Sequence, residues 1–317
     1  MRMFEDWKLM VVGGGTMGSG IALIYAINGF ETIVVDQNDE FLARAKNLIS
    51  SNAEFLVKEK LASEKDAERA QRLITYAKES DLEKVASKVD LVLETIFENA
   101  DAKRNLFAKL DKYCGPDCIF CSNTSASNVF EIAKISHPQR FVITHWFNPP
   151  FIMGLVEIVM GPETSESVVE KVRALHIKLG KNPAVIKQYI PGFIVNRLAN
   201  ALMREASYMV SKGWTTPQDI DVAIRETNGV RYAFEGPMAL YDVVGWDLVQ
   251  TVALDLFKSL CNDTDGGFTM AADLIKKGEL GLKSGKGAYD YTGVEPAKYL
   301  GERSSKIIKM YKAIKNL

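Results

Sequence analysis

Short apolar runs rich in β-branched residues alternate with longer amphipathic stretches along the first part of the chain, from Lys8 to about Lys187. The runs have the length of buried strands, and the stretches between them have the apolar spacing of helices. In order, the runs are KLMVV, ETIVVD, VDLVLET, CIFCS, RFVITH, LVEIVM and AVIK. This alternation predicts an α/β fold with a doubly wound, mostly parallel sheet.

A charged stretch separates the second run from the third, from about Asn38 to Ser80, and contains neither glycine nor proline. Its apolar residues recur at helical spacing. Because the stretch is too long for one ordinary crossover helix, we predict a pair of helices there. This helical hairpin would be inserted into the sheet domain and project from it.

The composition changes at the YIPG segment, Tyr189 to Gly192, after which strand-like runs are absent from the sequence. A long helical pattern follows, FIVNRLANALMREASYMV, and later helical stretches are separated by GWTTPQD, TNGVRYAFEGP, DTDGG and GLKSGKG. Proline and glycine interrupt regular structure at such boundaries. We therefore predict an α/β domain over residues 1–189 and an all-helical domain over residues 190–317.

The 317 residues carry 39 basic and 40 acidic side chains, which leaves a formal net charge of -1. A chain this close to neutral has no global field that favours nucleic acid or an anionic membrane, so we expect a small-molecule substrate. Charged residues near the N-terminus, including Asp6 and Lys8, precede only a short apolar run, unlike a signal peptide or a membrane span. We expect a cytoplasmic location.

Three cysteines lie close together in the sequence, at Cys114, Cys118 and Cys121. In a strand, Cys118 and Cys121 would point to opposite faces of the sheet, and no fourth ligand is near to complete a tetrahedral site. We therefore expect small buried hydrophobic residues here and no metal.

Three glycines, Gly13, Gly15 and Gly18, match the pattern G-x-G-x-x-G directly after the first strand and at the start of an apolar helix. This arrangement allows a tight turn and brings the helix N-terminus close to a pyrophosphate group. Asp36 ends the second strand 18 positions beyond Gly18, where an acidic residue contacts the ribose 2′-hydroxyl group. Since Asp36 would repel a 2′-phosphate and Gln37 follows it, the sequence predicts NAD as cofactor, with NADP disfavoured.

Oxidation of an alcohol requires a base for the hydroxyl proton, and histidine is the side chain best suited at neutral pH. His137 precedes a proline in a loop, and His176 lies in an amphipathic helix where we expect partial exposure. His145 ends a strand at the carboxyl edge of the sheet, where doubly wound folds bind ligands. Glu157 lies in the next apolar strand, and a buried carboxylate requires a partner. We predict a Glu157–His145 pair, with a backbone-bonded or arginine-bonded Glu157 as the alternative.

Seven segments follow one another over nearly the whole chain: VVGGGTMGSGIA, ETIFENADAKRNLF, CSNTSA, THWFNPP, GLVEIV, PGFIVNR and GLKSGKGAYDY. In sequence and in order they resemble the 3-hydroxyacyl-CoA dehydrogenase family. The resemblance implies a Rossmann-like NAD domain, a helical domain that carries substrate and homodimer contacts, and NAD-dependent oxidation of an L-3-hydroxyacyl-CoA.

The same resemblance implies roles for individual residues. His145 matches the catalytic base and Glu157 its carboxylate partner, while Ser125 and Asn196 match the residues that bind the substrate oxygen. Three of the implied cofactor residues have an alternative interpretation. Lys103 and Lys283 could simply be solvated, and Asn148 could form a turn before Pro149. The implied cofactor residues are Gly13, Gly15, Thr16, Met17, Gly18, Asp36, Glu98, Lys103, Asn148 and Lys283.

The segments that would select the substrate depart from the typical acyl-CoA enzymes. Asn52 and Glu59 stand where the family has a serine and a lysine that contact CoA, although the flanking Lys58 and Lys60 could replace them. The segments WFNPP and NGVRYAFEGP resemble instead the branch that oxidises free hydroxy acids such as gulonate or carnitine. Arg231 would there clamp a carboxylate, unless it forms an interdomain or dimer salt bridge.

Three functions follow from these observations. The first is oxidation of an L-3-hydroxyacyl-CoA, and the second is oxidation of a small free 3-hydroxy carboxylate by the same chemistry. A third is a non-catalytic NAD-binding module, which would have no reason to keep Ser125, His145, Glu157 and Asn196.

Overall fold

The chain divides into two compact units, Met1–Val195 and Asn196–Leu317. A computed structural model describes residues 4, 6–263 and 269–315 of it. The division lies just beyond the YIPG segment at which the composition changes. Apart from Asp263, the interruption expected at DTDGG lies outside the described residues.

The first unit is built on an eight-stranded sheet with the order β3-β2-β1-β4-β5-β6-β7-β8. Neighbouring strands are parallel except β6 and β7, which are antiparallel. Every run predicted as a strand forms one, and the mostly parallel, Rossmann-like sheet is confirmed. The strands are β1 (Lys8–Val12), β2 (Glu31–Asp36), β3 (Ile74–Lys78), β4 (Leu91–Glu94), β5 (Ile119–Ser122), β6 (Phe141–Trp146), β7 (Leu155–Met160) and β8 (Asn182–Ile186).

Helices cover both faces of this sheet, as the doubly wound arrangement requires. Helices α1, α2, α3 and α7 contribute side chains to the apolar layer on one face, and α4, α5 and α6 to the layer on the other. The helices are α1 (Thr16–Ile27), α2 (Asp39–Lys58), α3 (Glu64–Leu73), α4 (Leu82–Ala86), α5 (Ala100–Tyr113), α6 (Val129–Ile132) and α7 (Glu166–Lys178).

The charged stretch after β2 forms the two expected helices, α2 and α3, but it also contains a strand that the sequence analysis missed. Both helices pack against α1, with Ala45, Ile49 and Ala70 fully buried, so the hairpin does not simply project from the sheet. The chain then enters β3, which extends the sheet parallel to β2 and places Lys78 opposite Asp36.

The clustered cysteines are free and buried, on the two faces of the sheet. Cys121 belongs to one apolar layer, whereas Cys114 and Cys118 belong to the other. The prediction that Cys118 and Cys121 point to opposite faces is confirmed.

The second unit is helical, with two isolated β-bridges around Lys286. Among its described hydrophobic side chains, only Cys261 and Ile308 are buried. None of the described helices of the chain is both long and apolar enough to cross a membrane. The helices of the second unit are α8 (Val195–Ser211), α9 (Pro217–Glu226), α10 (Asn228–Arg231), α11 (Pro237–Val244), α12 (Trp246–Leu256), α13 (Thr269–Lys276) and α14 (Pro296–Ile314).

Candidate active site and dinucleotide site

The glycine-rich turn connects β1 to α1, and three of its glycines, Gly13, Gly14 and Gly18, have no room for a side chain. Gly13 has φ +102°, and a Cβ at Gly18 would lie 1.8 Å from the carbonyl oxygen of Gly13. The Thr95 hydroxyl donates to that same oxygen at 2.6 Å and fixes the turn to the end of β4. A Cβ at Gly15, in contrast, would meet no atom within 4 Å. Gly15 therefore leaves open space at the N-terminus of α1, where a pyrophosphate can approach the amides of Thr16 and Met17.

Asp36 lies at the end of β2 beside this turn, and both of its carboxylate oxygens are held by backbone amides. Oδ2 accepts a hydrogen bond from the Gly14 N–H at 2.7 Å, and Oδ1 accepts one from the Gln37 N–H at 2.7 Å. A cavity of about 540 Å³ contains Asp36 together with the turn. Its apolar lining suits an adenine ring, and the carboxylate suits a ribose hydroxyl group. The apolar lining residues are Val12, Phe41, Ile96, Phe97, Ala102 and Leu106.

His145 and Glu157 lie opposite each other on β6 and β7. His145 Nδ1 is 2.8 Å from Glu157 Oε2, and both side chains are buried. The second oxygen of Glu157 accepts hydrogen bonds from the N–H groups of Ile194 and Val195, each at 2.8 Å. The predicted pair with His145 is present, and the backbone hydrogen bonds that were predicted as its alternative are present as well. Because a carboxylate oxygen can only accept a hydrogen bond, Nδ1 is the donor and carries the ring proton. Nε2 is then the unprotonated nitrogen that can act as a base.

Ser125 is exposed on the loop that follows β5, and Glu98 holds this loop in place. The Glu98 carboxylate accepts hydrogen bonds from the Thr124 hydroxyl at 2.7 Å, the Ser125 N–H at 3.0 Å and the Ser127 hydroxyl at 2.8 Å. Partial burial alone would raise the pKa of Glu98, but the Thr124 hydrogen bond and the charge of Lys103 outweigh it. The pKa of Glu98 is therefore lowered, and its carboxylate is ionised at neutral pH.

Lys103 is 1% exposed, so the alternative that it is simply solvated is wrong. Its ammonium group donates to both oxygens of Glu94, at 2.7 and 2.8 Å. Glu94 is fully buried at the end of β4, and the sequence analysis did not identify it. The signal was present, because an apolar strand, VDLVLET, carries a carboxylate just as LVEIV carries Glu157.

The other two histidines differ in environment. His137 is exposed before the short 3₁₀ segment Pro138–Arg140, in the loop where it was expected. His176 was expected to be partly exposed, but it is 1% exposed and packs against the Trp146 ring. Its Nδ1 lies 2.7 Å from the Val172 carbonyl oxygen, and Nε2 is buried with no hydrogen-bond partner among the described residues. Burial lowers the pKa of His176 to about 4.

Asn148 is exposed on the loop after β6, two residues beyond Trp146. A buried lysine supports this loop, because Lys181 Nζ donates to the carbonyl oxygens of Pro150 and Met153 at 2.6 and 2.8 Å. The first unit therefore brings Ser125, His145 and Asn148 to the carboxyl ends of neighbouring strands, β5 and β6.

The remaining expected site residues lie elsewhere in the chain. Lys58 and Lys60 are exposed at the end of α2. In the second unit, Asn196 is half-buried in the first turn of α8, Arg231 is exposed at the end of α10, and Lys283 is exposed in the 3₁₀ segment Leu282–Ser284.

Two family models match consecutive parts of the chain. The 3-hydroxyacyl-CoA dehydrogenase NAD binding domain matches residues 8–189, and the C-terminal domain of the same family matches residues 192–291. The first match includes the glycine-rich turn, His145 and Glu157, and the second covers most of the helical unit.

Several curated relatives of similar length are between 31% and 36% identical to this chain. The chain is 35% identical to the human mitochondrial hydroxyacyl-coenzyme A dehydrogenase, over 89% of this chain and 90% of that one. It is 36% identical to the probable 3-hydroxybutyryl-CoA dehydrogenase of Bacillus subtilis, over 90% of this chain and 98% of that one. It is also 32% identical to the 5-formyl-3-hydroxy-2-methylpyridine 4-carboxylate 5-dehydrogenase of Mesorhizobium japonicum, over 95% of this chain and 96% of that one.

Solved structures show the same two kinds of relative. The NAD+ dependent 5-formyl-3-hydroxy-2-methylpyridine 4-carboxylic acid 5-dehydrogenase superposes with a TM-score of 0.87 at 30% identity, over 98% of this chain and 99% of that one. The (S)-3-hydroxybutyryl-CoA dehydrogenase of Ralstonia eutropha superposes with a TM-score of 0.73 at 30% identity, over 90% of this chain and 99% of that one.

Proposed function

This chain belongs to the 3-hydroxyacyl-CoA dehydrogenase family, and we propose that it oxidises the C3 hydroxyl group of a 3-hydroxy carbonyl compound. The observation that carries the proposal is the buried His145–Glu157 pair at the carboxyl edge of an NAD-binding sheet. NAD supplies the hydride acceptor when it is bound. The residues of the chain then have to accept the hydroxyl proton and stabilise the negative charge that develops on the substrate oxygen.

His145 Nε2 removes the hydroxyl proton, and the imidazolium that forms is stabilised by the Glu157 carboxylate. Two backbone N–H groups hold the second oxygen of Glu157, so the carboxylate keeps its orientation when the ring becomes charged. Ser125 donates a hydrogen bond to the substrate oxygen as the carbonyl group forms, with Asn196 as the second donor. Such donors stabilise a developing oxyanion by about 3 kcal/mol each.

Gly13, Gly15, Gly18 and Asp36 hold the adenosine and pyrophosphate of NAD in this proposal. Glu98, Lys103, Asn148 and Lys283 are further residues that contact the dinucleotide in this proposal, as the family resemblance implies. Gly15 supports the first assignment, since its position leaves the end of α1 open to a phosphate group.

Two substrate classes fit this chemistry. The first is an L-3-hydroxyacyl-CoA, which is supported by the names of the human and B. subtilis relatives. CoA would have to be held by Lys58 and Lys60 on the hairpin, because Asn52 and Glu59 occupy the positions expected to carry a serine and a lysine.

The second class is a small free carboxylate, and the hairpin favours it. A groove between α2 and α3 is lined by Glu54, Glu64 and Glu68, with Lys58 as its cation. A rim that carries more carboxylates than cations repels the phosphates of CoA. The superposition with a pyridine carboxylate dehydrogenase over nearly the full chain also supports this class. Arg231 would then bind the substrate carboxylate.

A single panel of substrates tests the activity and separates the two classes. NADH formation is measured with L-3-hydroxybutyryl-CoA, free 3-hydroxybutyrate, gulonate and carnitine, each with the wild type and with His145→Gln. We expect turnover that depends on His145. Turnover of the thioester alone supports the CoA class, and turnover of free acids alone supports the carboxylate class. No NADH from any 3-hydroxy compound would contradict the proposed function.

We also propose that the protein forms a homodimer, in which a second copy of the chain packs against the helical unit. The apolar side chains of this unit are largely exposed, with Val243 at 80%, Leu198 at 58% and Leu202 at 52%. A stable helical domain buries one apolar stripe of each helix, and large exposed apolar patches mark interfaces between proteins. A second copy, which offers the same apolar faces, covers them symmetrically.

A further inference from the structure

The cavity beside the glycine-rich turn extends beyond the residues assigned to the pyrophosphate and the ribose. One face of α5 lines it, because the four residues that this helix contributes are at helical spacing. At a rise of 1.5 Å per residue, this face runs for about 10 Å along the helix axis. The cavity therefore has room for a base, and the groups that would contact it are open to assignment. The four residues are Ala102, Asn105, Leu106 and Lys109.

Two phenylalanines that line the cavity are exposed. Phe41 is 39% exposed on the first turn of α2, and Phe97 is 61% exposed on the loop after β4. Strands β2 and β4 lie on either side of β1, so the two rings reach the cavity from opposite sides of that strand. Aromatic rings pack well against the flat face of a base. Because every base has such a face, these rings can hold a base but cannot identify it.

An ion pair in the same cavity can make that distinction. Glu79 begins the 3₁₀ segment Glu79–Asp81 that follows β3, and Lys109 lies on α5. Lys109 Nζ donates a hydrogen bond to Glu79 Oε1 at 2.7 Å, and both residues line the cavity. In the sheet, β3 and β4 are separated by β2 and β1. The pair therefore spans the cavity from one side to the other.

Glu79 can accept a further hydrogen bond. Lys109 donates to Oε1, and none of the described residues donates to Oε2. The two side chains are 31% and 49% exposed, and an ion pair exposed to this degree adds little to stability. Stability alone is therefore a poor explanation for a carboxylate with a spare oxygen at this place, and a ligand that donates to it is a better one.

The chemistry of purines indicates which base fits. Adenine has an amino group at its 6-position, and this group donates hydrogen bonds. Hypoxanthine has an oxygen at the same position, and that oxygen only accepts. Since a carboxylate also only accepts, it binds the amino group and repels the oxygen.

We propose that the Glu79–Lys109 pair makes the dinucleotide site selective for adenine. Glu79 Oε2 accepts a hydrogen bond from the 6-amino group, and Lys109 fixes the orientation of the carboxylate through Oε1. Phe41 and Phe97 pack against the base without selecting it. This inference rests on the binding of NAD at Gly15 and Asp36 in the proposed function, and it is independent of which substrate is oxidised.

The test compares NADH with reduced nicotinamide hypoxanthine dinucleotide, in which an oxygen replaces the 6-amino group of the base. Titrations that follow nicotinamide fluorescence give both Kd values without any substrate. The variants are Glu79→Gln and Lys109→Met. Their matched controls are Glu83→Gln on α4 and Lys112→Met on α5, which make the same changes at exposed positions.

We expect the wild type to bind NADH at least about tenfold more tightly than the hypoxanthine analogue, the factor for a lost hydrogen bond to a charged group. In Glu79→Gln the two Kd values should lie within about threefold of each other, because a side-chain amide both donates and accepts. Lys109→Met should reduce the preference, since the carboxylate is no longer held. Both controls should keep the wild-type ratio.

Three results would overturn the inference. The first is equal affinity of the wild type for the two dinucleotides, and the second is an unchanged preference in Glu79→Gln. The third is an equal loss of both affinities in Glu79→Gln, which would make the pair a part of the cavity wall that does not select the base. If the wild type oxidised no 3-hydroxy compound but preferred NADH as expected, the proposed reaction would fail and the selection of adenine would stand.

Discussion

His145 and Glu157 are direct neighbours across the antiparallel pair β6–β7, and the strand register alone brings their side chains together. The Nδ1–Oε2 distance is 2.8 Å, and the other carboxylate oxygen is already occupied by two backbone N–H groups. The carboxylate cannot turn away from the ring without losing these bonds. The pair is therefore built before any substrate arrives, which lowers the reorganisation needed for proton transfer.

The base is tested by His145→Gln, which keeps a polar side chain but cannot take a proton at neutral pH. We expect kcat to fall roughly 10²- to 10⁴-fold, the range for loss of a general base, with NADH affinity nearly unchanged. His137→Gln changes an exposed loop histidine and should leave kcat unaltered. Near wild-type turnover of His145→Gln with the same pH profile would rule out His145 as the base.

The glycine-rich turn gives two alanine variants with opposite expectations. Gly18→Ala places a Cβ 1.8 Å from the Gly13 oxygen, so we expect a clear loss of thermal stability. Gly15→Ala meets no neighbouring atom, so its melting temperature should stay near that of the wild type. Its Kd for NADH should nevertheless rise, because the new methyl group occupies the approach of the pyrophosphate. Thermal melts and NADH titrations measure the two effects, and unchanged NADH binding by Gly15→Ala would place the pyrophosphate elsewhere.

Asp36 sets the choice of cofactor through its charge. Asp36→Ser should weaken NADH binding about tenfold, since a hydrogen bond to a charged acceptor is lost. Binding of NADPH should weaken less or improve, because the repulsion of the 2′-phosphate is removed. Fluorescence titrations with both dinucleotides measure the ratio, with Glu40→Ser as a control that removes an exposed carboxylate nearby. An unchanged NADH to NADPH ratio would show that Asp36 does not contact the ribose.

The buried His176 predicts a specific pH dependence of stability. Because burial lowers the pKa of His176 from 6.5 to about 4, the unfolded chain binds a proton between these pH values that the folded chain does not. The free energy of unfolding should therefore decrease as the pH falls from about 6.5 to about 4, by about 3 kcal/mol from this group. Protonation would create an N–H group at the buried Nε2, and none of the described residues accepts a hydrogen bond there.

Denaturant unfolding of the wild type and of His176→Phe across this pH range measures that contribution. The variant keeps an aromatic ring against Trp146 but has no ring nitrogen to protonate, so its stability should fall less steeply with acid. His137→Phe, at an exposed position, should follow the wild type. Identical slopes for the wild type and His176→Phe would contradict the assignment.

The helical unit should make the protein a dimer in solution. Sedimentation of the wild type is expected to give twice the chain mass, and Val243→Asp should weaken that association because it places a charge in the apolar surface. Lys309→Asp, at an exposed polar position of α14, is the control for the charge itself. A monomeric wild type that remains folded would contradict the proposed homodimer.

Most of the sheet could be predicted from the sequence because its strands are buried on both faces and read as continuous apolar runs. The strand β3 could not, since it lies at the edge of the sheet and its segment, ITYAK, is only partly buried. It also follows α3 without any glycine or proline, so no local signal marks the change from helix to strand. Pairing with β2 decides its conformation, and that is a long-range contact.

The site residues show the same division between local and long-range information. Glu157 could be predicted because a carboxylate inside an apolar strand needs a partner. The same argument applied to VDLVLET would have predicted a buried, paired Glu94. His176 was misjudged because helix periodicity does not reveal that Trp146, on a strand 30 positions earlier, covers that face of α7. Lys103 looks like a surface residue in the sequence, and only its partner on β4 explains its burial.

The burial of Glu94 with Lys103 also constrains how this chain can change over time. A substitution at either position leaves a charge in the core without its counterion, which costs about 3 to 5 kcal/mol, a large part of the total stability of a typical domain. Single steps away from the pair are therefore selected against, whereas exchange of both residues for apolar ones is tolerated by the fold. We expect natural sequences of this lineage to keep both residues or to have lost both, so that the two positions covary.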